Sequence, residues 1–249
     1  APTAVITFNV DFTGSVPQNN QIILERGTGF VARSDNNLYQ YVVIEDVKRS
    51  IVSNQAIFDN VEIKEGTLIT DTYVVDTTQS QKFIIDNNNV DTSTIVVNVF
   101  LSEESTVSEK YTLSNNILGV DSTSKIYFIN EVDDEKYELF FGDGVLGKKL
   151  DDGNIVICEY IVTNKEASNG ASSFTLSGNI GGFTDVTITT NSSSQGGSDP
   201  QTKESIRFNA PLQYSRQDRA VTTGDYETLV TELYPNAQAV SAWGGEDDE

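Results

Sequence analysis

Residues 4–10, AVITFNV, alternate apolar and polar side chains, so that Ala4, Ile6, Phe8 and Val10 share one side. A period of two marks a strand buried on one face. The same texture returns in YQYVVIE (39–45), VEIKEGTLITDTYVVD (61–76), QKFIID (81–86), TIVVNVFL (94–101), KIYFINEV (125–132), YELFF (137–141) and NIVICEYIVT (154–163). Turn-forming clusters separate these runs, among them RSDNN (33–37), DNNN (86–89) and DDGN (151–154). Short β runs punctuated in this way predict antiparallel β architecture. IVICEYIV is apolar almost throughout and predicts a strand covered on both faces. Gly27-Thr28 and Gly66-Thr67 each lie between β-rich runs and predict a weak hairpin repeat, but no sustained period that would make a solenoid.

The pattern changes after residue 164, where Ser, Asn, Gly and Thr dominate and Phe174, Leu176, Ile180 and Phe183 are the few core anchors. Hairpins or loops, much of them mobile, are expected there. Helical signals come only near the end. Asp199-Pro200 predicts an N-cap with Pro at the first helical position, and Pro211 an early stop. Thr222 and Asp225 have capping-box spacing, and Tyr226, Leu229, Val230 and Leu233 fall on one helical face before Pro235. AQAVSAW (237–243) reads as a strand. The expected fold is mainly β with minor α (α+β): antiparallel β-rich domains with two short helices near the C-terminus. The expected division is a β-rich domain over 1–120, a β-hairpin domain with Ser/Gly-rich loops over 121–195, and a helix-helix-strand segment over 196–249 packing on both.

Composition narrows the chemistry. The chain has 249 residues, one cysteine and no histidine. Ser-His-Asp, Cys-His and His-ligated zinc chemistry are therefore excluded. Cys158 cannot form an intrachain bridge and reads as a small buried residue, consistent with folding in a reducing compartment. The net charge of −21 disfavours nucleic acid and anionic lipid as partners and favours basic ones. No apolar run is long enough for a helical membrane span. The chain starts at Ala1, contains no Met and shows no leader, so it reads as a fragment or processed form.

FFGDGVLGKK (140–149) poses the sharpest chemical question. Gly142, Gly144 and Gly147 have the spacing of a dinucleotide loop, and Lys148 follows as in a phosphate loop. Such loops must open a helix, whose N-terminus holds the phosphate. Here KKLDDGN and a long β run follow, Lys149 stands where Ser or Thr is needed, and Asp143 brings a negative charge. The three glycines read instead as a structural turn between strands. DNNNVDTSTIVV (86–97) begins like a calcium loop but has Val90, Asp91 and Val97 where a ligand, a glycine and a glutamate belong. No catalytic, cofactor-binding or metal residues are assigned. Trp243 fits either an edge-strand position or an interface anchor, given the enrichment of Trp at hot spots. Arg219, near Asp218 and Asp225, fits either a local ion pair or a contact with a neighbouring subunit, and Tyr226 is a third candidate interface residue.

Four stretches in order carry a family resemblance: YELFFGDGVLGKKLDDGNIVICEYIVTN with the following SNG, GGSDPQTKESIRFNAPLQY, RAVTTGDYETLVTELYPNAQAV and AWGGED. Together they resemble the baseplate J-like family of contractile tails, and within it the baseplate wedge proteins of T-even-type phages. ERGTGF and KEGTLIT fit less specifically. The resemblance implies a structural protein of the virion, not an enzyme, with no cofactor and no small-molecule substrate. It implies homodimers, a ring in the baseplate and contacts with other wedge proteins. It also implies a helical region before the β part and sequence beyond GGED, neither of which this chain contains. A carbohydrate- or surface-binding β module is the alternative, motivated by the Asn- and Thr-rich loops. A carboxylate-based hydrolase ranks below both.

Overall fold

The alternation in residues 4–10 becomes β1 (Thr3–Asp11), in which Ala4, Ile6, Phe8 and Val10 are completely buried. The computed structural model describes residues 1–199 except 13–15, 18, 35–36 and 133–134, and then residues 204, 206–207, 210–211, 214, 219–234 and 239–243. Two sheets hold most of the chain. The first has six strands in the order β14 (Phe174–Leu176), β3 (Gly29–Ser34), β4 (Asn37–Val43), β6 (Gln55–Glu65), β1 and β15 (Val186–Gln195). Its two edges meet: Gly170 N–H donates to the Ser194 carbonyl at 2.7 Å, and Ser194 N–H to that of Ala171 at 2.8 Å. The sheet thus curls into a barrel around Phe8, Phe30, Phe58, Ile63 and their neighbours. Phe8 stacks on Phe58, with ring centroids 5.0 Å apart. A ribbon of β2 (Gln21–Leu24) and β5 (Val47–Ser50) adds Ile22 and Leu24 to that core.

The second sheet has seven strands in the order β7 (Thr67–Val74), β13 (Ile155–Val162), β9 (Val90–Phe100), β10 (Ser108–Leu113), β11 (Ile126–Val132), β12 (Lys136–Phe141) and β8 (Phe83–Ile85). It also curls on itself. The Tyr73 hydroxyl on one edge strand donates to the Ile84 carbonyl on the other at 2.8 Å, and the Tyr73 and Phe83 rings meet edge to face. Its core is separate, built on Ile85, Val97, Tyr111, Leu139, Val156 and Cys158. Among the described strands, pairing is antiparallel except between β10 and β11. The expectation of a mainly antiparallel β fold therefore holds. β13 sits between β7 and β9 with Val156, Cys158 and Tyr160 fully buried; on its other side Ile161 is buried but Ile155, Ile157 and Glu159 are only half-buried, so that face is not covered throughout as expected.

The second barrel is an insertion in the first. The six-stranded sheet draws on residues 3–65 and 174–195, and the seven-stranded one on residues 67–162. The boundary expected at residues 120 and 121 falls between β10 and β11, which pair with each other. An insertion leaves no compositional mark, because composition is local and strand pairing is not. The hairpins expected at Gly27-Thr28 and Gly66-Thr67 do not form. β2 pairs with β5 while β3 pairs with β4 and β14, and β6 and β7 lie in different sheets. The Ser/Asn/Gly-rich stretch expected to form hairpins or loops supplies β14 and β15, with the expected anchors Phe174 and Ile180 in the first core and Leu176 and Phe183 packed against it.

Beyond residue 199, one helix is fully bounded, α1 (Thr223–Leu233). Thr222 Oγ1 accepts from Asp225 N–H at 3.3 Å, and the Asp225 carboxylate accepts from Thr222 N–H at 2.7 Å, which is the expected capping box. Two helices were expected and one is bounded; the earlier one, with its expected cap at Asp199 and Pro200 at its first position, lies largely outside the described residues. Residues 239–243 are irregular, not the expected strand, and 237–238 lie outside the described residues.

Candidate functional site

The glycine-rich stretch leaves β12 at Phe141 and forms a compact turn with no helix after it. Gly142 and Lys149 bridge across its neck, and Gly144 N–H donates to the Gly147 carbonyl at 3.1 Å. Each glycine has its own reason. A methyl at Gly142 would lie 2.6 Å from Gly147 Cα and nearer still to its carbonyl, so this glycine allows two backbones to touch. Gly144 and Gly147 have φ of +92° and +90°, where a side chain is strained. The turn is tied to the loop before β11: Gly147 N–H donates to the Asp121 carbonyl at 3.0 Å and Lys148 N–H to that of Ser124 at 2.8 Å.

The turn's own side chains occupy what a phosphate would need. The Asp143 carboxylate accepts from both Val145 N–H and Leu146 N–H at 2.8 Å, and those bonds hold it below the usual carboxylate range. The Lys148 ammonium is paired with Glu109, which Lys125 also reaches at 3.2 Å. The Lys148 hydrogen bond in particular depresses the Glu109 carboxyl. An incoming anion would meet a carboxylate already on the amides and a lysine already paired.

What the turn does present to solvent is apolar. Val145 and Leu146 are exposed, as are Ile117 and Leu118 on the adjoining loop, Leu118 at 87%. Asn116 and Asp121 brace that loop through bonds from Leu118 N–H and Thr123 N–H. Sequence reading of the glycines missed this apolar tip. The signal was the pair Val145-Leu146 inside a turn that no barrel core can reach.

The second candidate surface surrounds α1. Tyr226 and Trp243 come together with Val221 and Ala242 around a shallow open hollow, and Ala242 N–H donates to Glu227 Oε1 at 3.0 Å. Trp243 is 70% exposed and Tyr226 51%. Of the apolar face expected to pack on the β domains, Tyr226, Val230 and Leu233 are exposed and Leu229 is half-buried. Among the described residues, α1 makes no substantial contact with either sheet. Arg219 is exposed just before the helix and does not line the hollow, and Asp218 lies outside the described residues. Asp225 is engaged by the N–H groups of Val221 and Thr222.

Reactive groups are muted. Cys158 is completely buried, and burial pushes its thiol up to about 12. Among the described residues, no group of three or more acidic or cysteine side chains is placed to hold a metal ion.

Against known proteins, residues 68–172 match the family described as "Bacteriophage baseplate wedge protein gp6, third domain". The match contains all of the inserted barrel but its first residue, Thr67, and continues ten residues beyond it. The chain is also 27% identical to the baseplate wedge protein gp6 of Enterobacteria phage T4, over 86% of this chain and 35% of that protein. It therefore spans about a third of that relative's length. The resemblance to baseplate wedge proteins of T4-like phages, carried by four short stretches of sequence, is borne out.

Proposed function

We propose that this chain is a structural component of a phage tail baseplate wedge, and that it works through dimer and inter-wedge ring contacts that hold the baseplate together during tail assembly and contraction. The observation that carries the reading is that the matched residues, 68–172, take in nearly all of one structural unit, the barrel of β7 to β13, and the segment that returns from it. The partners are a second copy and other wedge proteins, in the virion's tail baseplate, after assembly in the host cytoplasm. The apolar tip of Ile117, Leu118, Val145 and Leu146 and the hollow at Tyr226 and Trp243 are the surfaces best suited to such contacts. Exposed aliphatic and aromatic groups on braced loops supply contact area at little ordering cost. The net charge of −21 favours partner faces rich in Lys and Arg.

Sedimentation of the purified chain, alone and mixed with the other wedge proteins of the same tail, tests the proposal. A dimer, or a complex that sediments with a wedge protein, is the expected result. A strict monomer that binds no tail component overturns it.

A further inference from the structure

Only two strands of backbone join the barrels, outward at Gly66 and back at Val162. They touch where they pass: a methyl on Gly66 would come closer to Ile161 Cγ2 and the Val162 carbonyl than any real Cβ does. Two strands crossing at one point make a hinge, and relative motion is the default for units joined in this way. Polar side chains guard the junction on two sides.

At the crossing stands Glu65, the last residue of β6, with no solvent exposure at all. Its carboxylate reaches from the first barrel to the returning strand. Oε2 accepts from Thr163 Oγ1 at 2.7 Å and from Asn164 N–H at 2.9 Å, and Oε1 accepts from Asn164 Nδ2 at 2.6 Å. A buried carboxylate is tolerated only when its oxygens are satisfied, so these bonds hold the returning strand in place.

The other flank is held by Arg26, in the turn between β2 and β3. Its Nη1 donates to the Ile44 carbonyl in its own barrel, and its Nη2 to the Thr94 carbonyl of the inserted barrel at 2.8 Å. Its Nε, buried and without a hydrogen-bond partner, faces Glu159 on β13 at 3.7 Å. Thr94 lies in the β-bulge where the register of β13 against β9 shifts. The bulge interrupts the ladder, and Arg26 takes the carbonyl there while Thr94 Oγ1 accepts from Ile161 N–H. Lys64 adds a third link, from Nζ to Ser93 Oγ at 2.9 Å.

We propose that Glu65 and Arg26 are paired clasps that lock the two barrels into one rigid lever. Covalent links at a single crossing leave rotation free. Directional bonds on two sides of that crossing remove it. Force applied to either barrel is then passed to the other without being absorbed at the junction. This holds whatever the chain assembles with.

Residual dipolar couplings of the 249-residue chain test the proposal, because they report the order tensor of each barrel separately. In the native chain both barrels should share one tensor in magnitude and direction. In Arg26→Ala combined with Glu65→Gln, the tensors should diverge while the amide shifts of both cores stay native. Two different tensors in the native chain overturn the proposal, and so does a common tensor in the folded double variant. If Glu65→Gln prevents folding, Arg26→Ala alone carries the test, since Arg26 belongs to neither core. A common tensor in that single variant then overturns it.

Discussion

Adding one methyl group at Gly142 and, separately, at Gly144 asks two different questions of the same turn. At Gly142 the new Cβ would lie 2.6 Å from Gly147 Cα, against roughly 3.5–4 Å for an ordinary carbon contact. The neck of the turn must open by about 1 Å on that comparison. Opening it breaks the bond from Gly144 N–H to the Gly147 carbonyl and strains the one from Gly147 N–H to Asp121. Two backbone bonds at ~1 kcal/mol each, plus strain, put the cost of Gly142→Ala at about 3 kcal/mol. At Gly144 the only heavy atom near the new Cβ is Lys149 Cβ at 3.7 Å, an ordinary contact. The cost there is backbone strain at φ +92°, roughly 1–2 kcal/mol, partly offset by a less flexible unfolded chain. Gly144→Ala should therefore cost about 1 kcal/mol. Urea unfolding read by thiol labelling of Cys158, which lies in the core of the same barrel, measures both. If Gly144→Ala costs as much as Gly142→Ala, or Gly142→Ala costs nothing, the division into close approach and positive φ is wrong.

Three further outcomes are expected. ATP or NAD added at millimolar concentration should leave the amide shifts of residues 142–149 unchanged, because Asp143 and Glu109 already hold the groups an anion would use; saturable shifts there would count against that reading. Native Cys158 should react with a thiol reagent only at the rate of unfolding, since it is buried and its thiol is pushed up to about 12; labelling faster than unfolding contradicts this. Alkali should destabilise the inserted barrel through Tyr111 and Tyr127. Burial raises both hydroxyls to about 12, whereas an unfolded tyrosine ionises near 10. The native state holds its protons longer, so the stabilisation is complete below about 10 and lost as pH rises from about 10 to 12. The urea midpoint should fall across that window, with an earlier onset at about 9 from the Cys158 thiol, which burial raises in the same way.

Much of the architecture is legible in local pattern. The alternation in 4–10 identifies the buried set of β1 residue by residue. The spacing of Thr222 and Asp225 identifies the capping box of α1. The absence of a helix after Gly147 turns FFGDGVLGKK from a phosphate cradle into a turn. Less of the candidate contact surface is legible. The face of Tyr226, Leu229, Val230 and Leu233 has helical period and reads as a buried stripe, yet Leu229 alone of the four is half-buried and the rest are exposed. Period reports that a face is apolar and does not report what covers it.

The sequence by itself determined most of the longer strands, the apolar side of β1 and the glycine-bearing turn after β12, because those are short-range consequences of side-chain alternation and φ. It also carried the likeness to wedge proteins. Only the tertiary structure decided that VEIKEGTLITDTYVVD splits at Gly66 between two barrels, that the second barrel is inserted in the first, and that Glu65 and Arg26 bridge them. Those outcomes depend on which distant strands pair and how each sheet closes, and pairing partners as far apart as Thr3 and Gln195 leave no trace in the residues between them.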